Sequence, residues 1–259
     1  MNMPFFMTDL TSAVTFLTRL RVPGLLMAET PAGARAAWAY PLAGAIATVV
    51  PAAGLAAFVW LGASPLVAAL IAVLISIMIC GGLHEDGLAD AADGLFGGRD
   101  REKALAIMKD SYSGVFGVIA IVFSLLLRAA ALAALVPHYS PTAAALLFIA
   151  AAIAGRGSLV LQWKMLPAAR SDGAAATLGQ PGVRTTASAE AITLLLCIAL
   201  GIAVNAFIQV VTALAFAGIA SLLFSAFVKK RIAGHTGDTL GAAAQISEIV
   251  FLATLAIAA

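Results

Sequence analysis

Residues 115–136 read VFGVIAIVFSLLLRAAALAALV, and this stretch decides the fold class of the chain. Its one charged residue is Arg128, and a helix of about 20 apolar residues is long enough to cross the hydrocarbon core of a bilayer. The whole 259-residue chain has the same character, with 62% hydrophobic and 11% charged residues, against roughly 45–50% and 25% in soluble domains. This composition excludes a soluble globular domain and predicts an integral membrane protein.

Six further segments are apolar enough to span a membrane. They lack the ten-residue alternation of a β-barrel, so they are predicted to be helices. The segments are residues 37–61, 65–83, 142–162, 189–207, 210–228 and 240–259. Residues 8–26 mix apolar with charged side chains and predict an interfacial helix. We therefore expect one all-α domain over residues 1–259, a polytopic membrane bundle of about seven transmembrane helices with an N-terminal interfacial helix.

The basic residues outside the apolar segments fall in alternate connections. They are Arg19, Arg21, Arg35, Arg99, Arg101, Lys103, Lys109, Lys164, Arg170, Arg184, Lys229, Lys230 and Arg231. If all seven segments span the bilayer, these residues share one side, which the positive-inside rule makes cytoplasmic. Seven of the 13 acidic residues lie in residues 85–110, on that same side. Any chemistry is therefore expected to face the cytoplasm.

A cluster of carboxylates begins where the second apolar segment ends. Residues 81–94 read GGLHEDGLADAADG, in which Asp86, Asp90 and Asp93 are spaced i, i+4, i+7 and share one helical face. Like charges at this spacing repel, and a divalent cation such as Mg²⁺ or Mn²⁺ that also binds substrate phosphates would neutralise them. The alternative is a solvated acidic loop. Glu85 points away from this face and is left out of the cluster.

Two other polar stretches are candidate parts of the same site. Asp110 precedes the third span and is either its helix cap or a further metal or substrate ligand. Residues 234–241 read GHTGDTLG, and their glycines with Thr236 could wrap phosphate oxygens. The alternative there is a helix N-cap at Asp238 or Thr239.

Four polar residues lie inside apolar segments, where they are costly in lipid and should face the bundle interior. Arg156, flanked by two glycines, suits either a phosphate contact or a structural ion pair. Arg128 is expected to pair with Glu248 or to snorkel. Gln245 and Glu248 are candidates for contacts between helices.

The run GGLHEDGLADAADGLFGGRDREKALAIMKDS, together with TFLTRLRVP before it and GHTGDTLGA after it, resembles the cobalamin synthase family, the adenosylcobinamide-GDP ribazoletransferases. The resemblance implies a multi-pass enzyme of the bacterial inner membrane. Such enzymes join adenosylcobinamide-GDP to α-ribazole, or to its 5′-phosphate, with release of GMP, and they need Mg²⁺. Attack of a ribose hydroxyl on a diphosphate is metal-assisted phosphoryl transfer, which suits the carboxylate cluster.

On this hypothesis Asp86, Asp90, Asp93 and Asp110 hold the metal. His84 is the candidate general base, or else a hydrogen-bond partner of a metal-ligating carboxylate. The candidate substrate contacts are Lys109, Arg156, Thr236 and Asp238.

Two other functions stay open from the sequence. One is a transferase acting on a CDP-alcohol or a prenyl diphosphate, and the other is a cation transporter. The expected partners are the small-molecule substrates, the lipid bilayer and, as an open alternative, a second copy of the chain. No nucleic-acid partner is expected, because the formal net charge is only +2. Cys80 and Cys197 are interpreted as small core residues.

Overall fold

A computed structural model describes residues 5–20, 33–170 and 177–258 of the chain. Within these ranges the protein is helical throughout, with ten α-helices and one 3₁₀-helix, η1. The helices are α1 (Phe5–Leu17), η1 (Gly33–Ala39), α2 (Tyr40–Trp60), α3 (Pro65–Cys80), α4 (Leu83–Gly97), α5 (Arg101–Ile107), α6 (Val115–Tyr139), α7 (Pro141–Met165), α8 (Val183–Ala203), α9 (Phe207–Ile232) and α10 (Gly237–Ala258). The all-α prediction is confirmed.

Six of the described helices are long and apolar enough to cross a membrane: η1 with α2, then α6, α7, α8, α9 and α10. The pair α3 and α4 passes the same test together but bends by 90° between the two helices. Counting the bent pair as one span gives the predicted seven. The segment predicted at residues 189–207 is displaced, because its helix begins at Val183 and ends at Ala203.

The predicted second span, residues 65–83, is shorter than expected. Helix α3 has 16 residues, which is about 24 Å of helix, and it ends in two successive glycines with positive φ, 66° at Gly81 and 73° at Gly82. Glycine adopts this left-handed conformation without strain from a Cβ. The two glycines therefore let the chain turn sharply into α4, which packs against α6 and α10.

Helix α7 forms the centre of the bundle. It is buried along most of its length and packs against α2, α8 and α10. The alanines that fill much of its sequence let these neighbours approach closely. Helices α6, α8 and α9 instead expose large apolar side chains, among them Leu126, Leu195 and Leu223. Such outward-facing side chains are typical of helices that contact lipid.

The loops that carry the polar residues meet at one end of the bundle. Arg101 Nη2 donates a hydrogen bond to the carbonyl oxygen of Ala169 at 2.6 Å, and Arg101 Nε donates to that of Ile232 at 3.0 Å. His235 N donates to the oxygen of Pro167 at 2.8 Å, and Arg231 Nε to the oxygen of Leu95 at 3.0 Å. Connections predicted to share one side of the membrane are thus in direct contact.

Helix α1 covers part of this end. It packs against η1 and α2, where Asp9 pairs with Arg35 at 2.8 Å and accepts a hydrogen bond from Trp38 Nε1 at 3.0 Å. The predicted interfacial segment, residues 8–26, is helical up to Leu17. Its part from residue 21 onward, including Arg21, lies outside the described residues.

Candidate active site

Helices α4 and α10 cross at two glycines, and this crossing assembles the site. A Cβ added to Gly87 would lie 3.0 Å from the carbonyl oxygen of Asp238 and 3.4 Å from the Cα of Gly241. A side chain at Gly87 would crowd the backbone of Asp238, so glycine at this position favours the close approach. The crossing sets Asp86 and Asp90 of α4 beside Asp238 of α10, residues that are about 150 positions apart in sequence.

These three residues, Asp86, Asp90 and Asp238, form what we call the acidic cluster. The negative charge of Asp90 is repelled by those of Asp86 and Asp238, and the charges of Asp86 and Asp238 also repel each other. The compensating cation is Arg170, which lies 3.6 Å from Asp238 Oδ2. In the described part of the chain, neither Asp86 nor Asp90 forms an ion pair within 4 Å. The cluster therefore holds more negative charge than nearby side chains neutralise.

The fourth aspartate of this region, Asp93, has a different environment. It is buried, and its two oxygens accept hydrogen bonds from Gly114 N at 2.6 Å and Gly117 N at 2.9 Å. It thereby satisfies backbone donors at the amino end of α6, where a negative charge is favourable. The cap role considered for Asp110 is wrong, since Asp110 is exposed and accepts only a local hydrogen bond from Tyr112 N at 3.3 Å. The metal-ligand roles of both residues stay predictions.

The amino end of α10 is capped by Thr236. Its Oγ1 accepts a hydrogen bond from Thr239 N at 3.2 Å, and Thr239 Oγ1 accepts one from Thr236 N at 2.9 Å. The cap thus lies at neither Asp238 nor Thr239, the positions proposed from sequence. Thr236 Oγ1 also donates a hydrogen bond to Asp238 Oδ2 at 3.0 Å. The Asp238 side chain is 27% exposed in this position.

His84 lies at the base of the acidic cluster. It is fully buried, and its Nε2 has no hydrogen-bond partner among the described residues. Together with Asp86 and Asp238 it lines a cavity of about 240 Å³ whose remaining walls are mostly apolar. A buried imidazole nitrogen without a partner is costly unless a ligand or water meets it. The geometry thus brings together His84 and Asp86 from one sequence motif and Asp238 from another, with Asp90 next to them.

Beneath the site, charged residues form a buried network. Arg128 Nη2 lies 2.8 Å from Glu85 Oε1, and Arg128 Nη1 lies 3.3 Å from Glu248 Oε1. Gln245 Nε2 donates to Glu85 Oε1 at 2.9 Å and accepts a hydrogen bond from Ser124 at 3.0 Å. The predicted pairing of Arg128 with Glu248, the interhelical role of Gln245 and the exclusion of Glu85 from the carboxylate face are confirmed.

Arg156 belongs to the same network. It is 4% exposed, and its Nη1 lies 2.9 Å from Glu248 Oε2. Of the two readings that the sequence left open, this geometry supports the structural ion pair. The predicted contact of Arg156 with substrate phosphate stays a prediction. Lys109 is exposed in the loop after α5, at the end of the bundle where the polar loops meet, which we call the charged end.

Two residues near the site were not named as site residues from the sequence, although His235 lies within the GHTGDTLG stretch. Arg170 follows α7 in a polar connection and reaches Asp238 only through the folding of that connection onto the α9–α10 loop. His235 anchors the same contact through its backbone, and burial lowers the pKa of its side chain to about 4, so it is neutral at pH 7. Neither residue lies in a periodic pattern that could have marked it.

No three His, Cys, Asp or Glu side chains in the described ranges lie close enough together to hold a metal ion by themselves. This does not conflict with a Mg²⁺ site. Mg²⁺ keeps several waters and is commonly bound by one or two carboxylates plus the phosphates of a substrate. The donor set of the acidic cluster, exposed or half-buried carboxylate oxygens, has the chemistry that this ion prefers.

Comparison with known proteins adds an independent finding. A family model described as cobalamin-5-phosphate synthase matches residues 9–256. Curated proteins named adenosylcobinamide-GDP ribazoletransferase are similar over the full length: one from Rhizobium etli (strain CIAT 652) is 44% identical and one from Rhizobium johnstonii 43% identical, each over 100% of both chains. One from Rhizobium meliloti (strain 1021) is 40% identical over 96% of both chains. No solved structure gives a significant match to this chain.

Proposed function

Because this chain belongs to the cobalamin-5-phosphate synthase family, we propose that it is an adenosylcobinamide-GDP ribazoletransferase. It joins adenosylcobinamide-GDP to α-ribazole, or to α-ribazole 5′-phosphate, and releases GMP. Its full-length relatives are named adenosylcobinamide-GDP ribazoletransferase. The observation that carries this proposal is the acidic cluster. Three carboxylates with too little compensating charge, at the mouth of a cavity, suit a reaction that brings in both a cation and a diphosphate.

We assign the metal to Asp86 and Asp90, and substrate phosphates and water would supply its remaining ligands. Asp238 lies beside them across the helix crossing. A bound Mg²⁺ would neutralise diphosphate oxygens and stabilise the departing GMP. Repulsion among the three carboxylates falls when a cation binds, so the cluster favours the ion-bound state. Asp93 and Asp110 remain candidates further along the same loop, although both oxygens of Asp93 already accept hydrogen bonds.

In the proposed reaction, a ribose hydroxyl of the ribazole attacks the phosphorus that carries the corrinoid. A new P–O bond forms to the ribazole oxygen, the P–O bond to GMP breaks, and GMP leaves with the electron pair. His84 accepts the proton of the attacking hydroxyl, because its Nε2 has no other partner within the described residues and the side chain lines the cavity.

The remaining predicted substrate contacts lie in three different parts of the structure. Thr236 and Asp238 stand at the amino end of α10, where backbone donors and the helix dipole favour a phosphate. Lys109 is an exposed cation on the same end and suits the diphosphate. Arg156 contributes through the buried pair with Glu248, and a direct contact with substrate phosphate remains the weaker assignment.

We further propose that the protein lies in the bacterial inner membrane with this site on the cytoplasmic side. The supporting observation is the charged end of the bundle, where the basic loops contact one another. The turns at residues 62–64, 140 and 204–206 carry no Lys or Arg. The positive-inside rule then places the charged end in the cytoplasm.

The test is release of GMP by purified protein in lipid nanodiscs given both substrates. We expect turnover that requires Mg²⁺ and that falls on the order of 100-fold or more in Asp86→Asn. The matched control is Asp100→Asn, since Asp100 is an exposed cap of α5 and asparagine caps equally well. Near-normal GMP release by folded Asp86→Asn at ordinary Mg²⁺ would contradict the proposed site. Absence of GMP release by the wild type would contradict the proposed activity.

A further inference from the structure

The cavity beside the acidic cluster has aromatic walls that the proposed phosphoryl chemistry does not use. The rings of Phe16 and Tyr40 are 6.1 Å apart between centroids with an interplanar angle of 28°, and those of Tyr40 and Trp163 are 5.9 Å apart at 41°. All three side chains line the cavity. We call this space the aromatic cavity.

The aromatic walls are held rigidly in place. Trp163 Nε1 donates a hydrogen bond to the carbonyl oxygen of Gly179 at 2.9 Å, and both Trp163 and Tyr40 are buried. Phe16 is 46% exposed and stands at the mouth. A fixed row of rings with one accessible member is suited to a flat apolar ligand that slides in from outside and stacks against it.

The aromatic cavity is polar only at one end. His84, Asp86 and Asp238 gather there, while the other lining residues are the three aromatic residues, glycines and aliphatic side chains such as Leu159. A matching ligand therefore has a planar apolar part joined to a hydroxylated part. A lipid acyl chain would match the apolar walls but would leave His84 and the two carboxylates without a partner.

A second, more open cleft adjoins the aromatic cavity. It has a volume of about 580 Å³, shares Phe16, Leu83 and Asp86 with its neighbour, and contains Arg19. Its lining is more polar than that of the aromatic cavity. Two spaces of different polarity that meet at one carboxylate are suited to two substrates that react where the spaces meet.

We propose that the aromatic cavity binds the planar aromatic base of the incoming nucleoside. This proposal rests on the proposed transferase function, in which α-ribazole supplies a dimethylated benzimidazole attached to a ribose. With the base stacked among Phe16, Tyr40 and Trp163, the ribose lies at the polar end, next to His84. The activated corrinoid and its diphosphate then approach Asp86 from the open cleft that contains Arg19.

The first test removes the accessible ring. In Phe16→Ala we expect the KM for α-ribazole to rise about tenfold, the size of a lost base-stacking contact, with the KM for adenosylcobinamide-GDP changing by less than twofold. The matched control is Phe207→Ala, because Phe207 is 47% exposed but lies at the opposite end of the bundle. An unchanged KM for α-ribazole, or a larger effect on the corrinoid, would overturn the assignment.

The second test fills the cavity. Leu159→Phe adds a ring beside the base, so kcat/KM for the dimethylated nucleoside should fall about tenfold relative to that for the benzimidazole nucleoside without methyl groups. Equal losses for the two nucleosides would overturn the proposal and would fit an acyl chain as the occupant. Should the wild type release no GMP, equilibrium binding of α-ribazole to wild type and Phe16→Ala still tests the cavity separately from the activity.

Discussion

The two faces of α4 carry acidic residues in opposite electrostatic situations. On one face Glu85 is buried and paired with Arg128, and Gln245 donates a further hydrogen bond to it. On the other face Asp86 is exposed, Asp90 is half-buried, and the described residues provide neither with an ion pair. Adjacent positions on one helix thus separate a carboxylate that pairs with a cation inside the bundle from carboxylates that repel one another.

The largest effect is expected when one acid on the open face of α4 is neutralised. Asp90→Asn should lower GMP release on the order of 100-fold and should raise the melting temperature, because it removes repulsion from Asp86 and Asp238. Both quantities are measured on the same preparation in nanodiscs. Glu85→Gln should instead lower the melting temperature, because it weakens the pair with Arg128. A melting temperature that falls in Asp90→Asn would mean that Asp90 is structurally paired like Glu85.

The buried face is tested by removing its cation. Arg128→Met leaves Glu85 and Glu248 without that cation in the bundle interior, and we expect a loss of about 3–5 kcal/mol in the free energy of unfolding. Unfolding in mixed detergent micelles measures this loss. Adding Glu85→Gln to Arg128→Met should recover part of it, since one unpaired charge is then removed. If the double variant is no more stable than the single one, Arg128 does not stabilise the bundle through Glu85.

One added methyl group at Gly87 tests the close crossing of α4 and α10, which brings the aspartates of the two helices together. Gly87→Ala places a Cβ 3.0 Å from the carbonyl oxygen of Asp238, so we expect α4 and α10 to separate, at a cost of about 1–3 kcal/mol in stability. The KM for Mg²⁺ should rise, because Asp238 moves away from Asp86. Gly218→Ala is the control, since a Cβ there meets nothing within 4 Å. Equal behaviour of the two variants would show that the crossing tolerates a side chain.

The smallest effect is expected at Asp93, which lies on α4 together with the buried Glu85 and the acidic cluster residues Asp86 and Asp90. Asp93→Ala should cost about 1 kcal/mol of stability, because two backbone N–H groups of α6 lose their acceptor. The Mg²⁺ concentration for half-maximal activity should stay the same. A tenfold increase in that concentration would instead indicate that Asp93 binds the metal, the role predicted from its i, i+7 spacing.

Much of the candidate site was accessible from the sequence, and the errors have physical causes. Helical periodicity placed Asp86 and Asp90 on one face and Glu85 on another, as the structure has them. Periodicity could not show that the amino end of α6 lies against Asp93, because this contact depends on how two helices pack. Likewise Arg156 and Glu248 are 92 positions apart, and only their packing decides between an ion pair and a phosphate contact.

The amino-acid pattern alone was enough to predict a helical membrane bundle with most of its charged residues at one end. The bilayer imposes that outcome, since apolar length and the position of each Lys and Arg directly set which segments span and how they are oriented. The structure was needed to show where α3 ends, which acids are neutralised and that an aromatic cavity adjoins the acidic cluster. The end of α3 depends on the left-handed conformation of Gly81 and Gly82. The other two features depend on close backbone approach at Gly87 and on contacts between distant helices, which no local pattern of residues encodes.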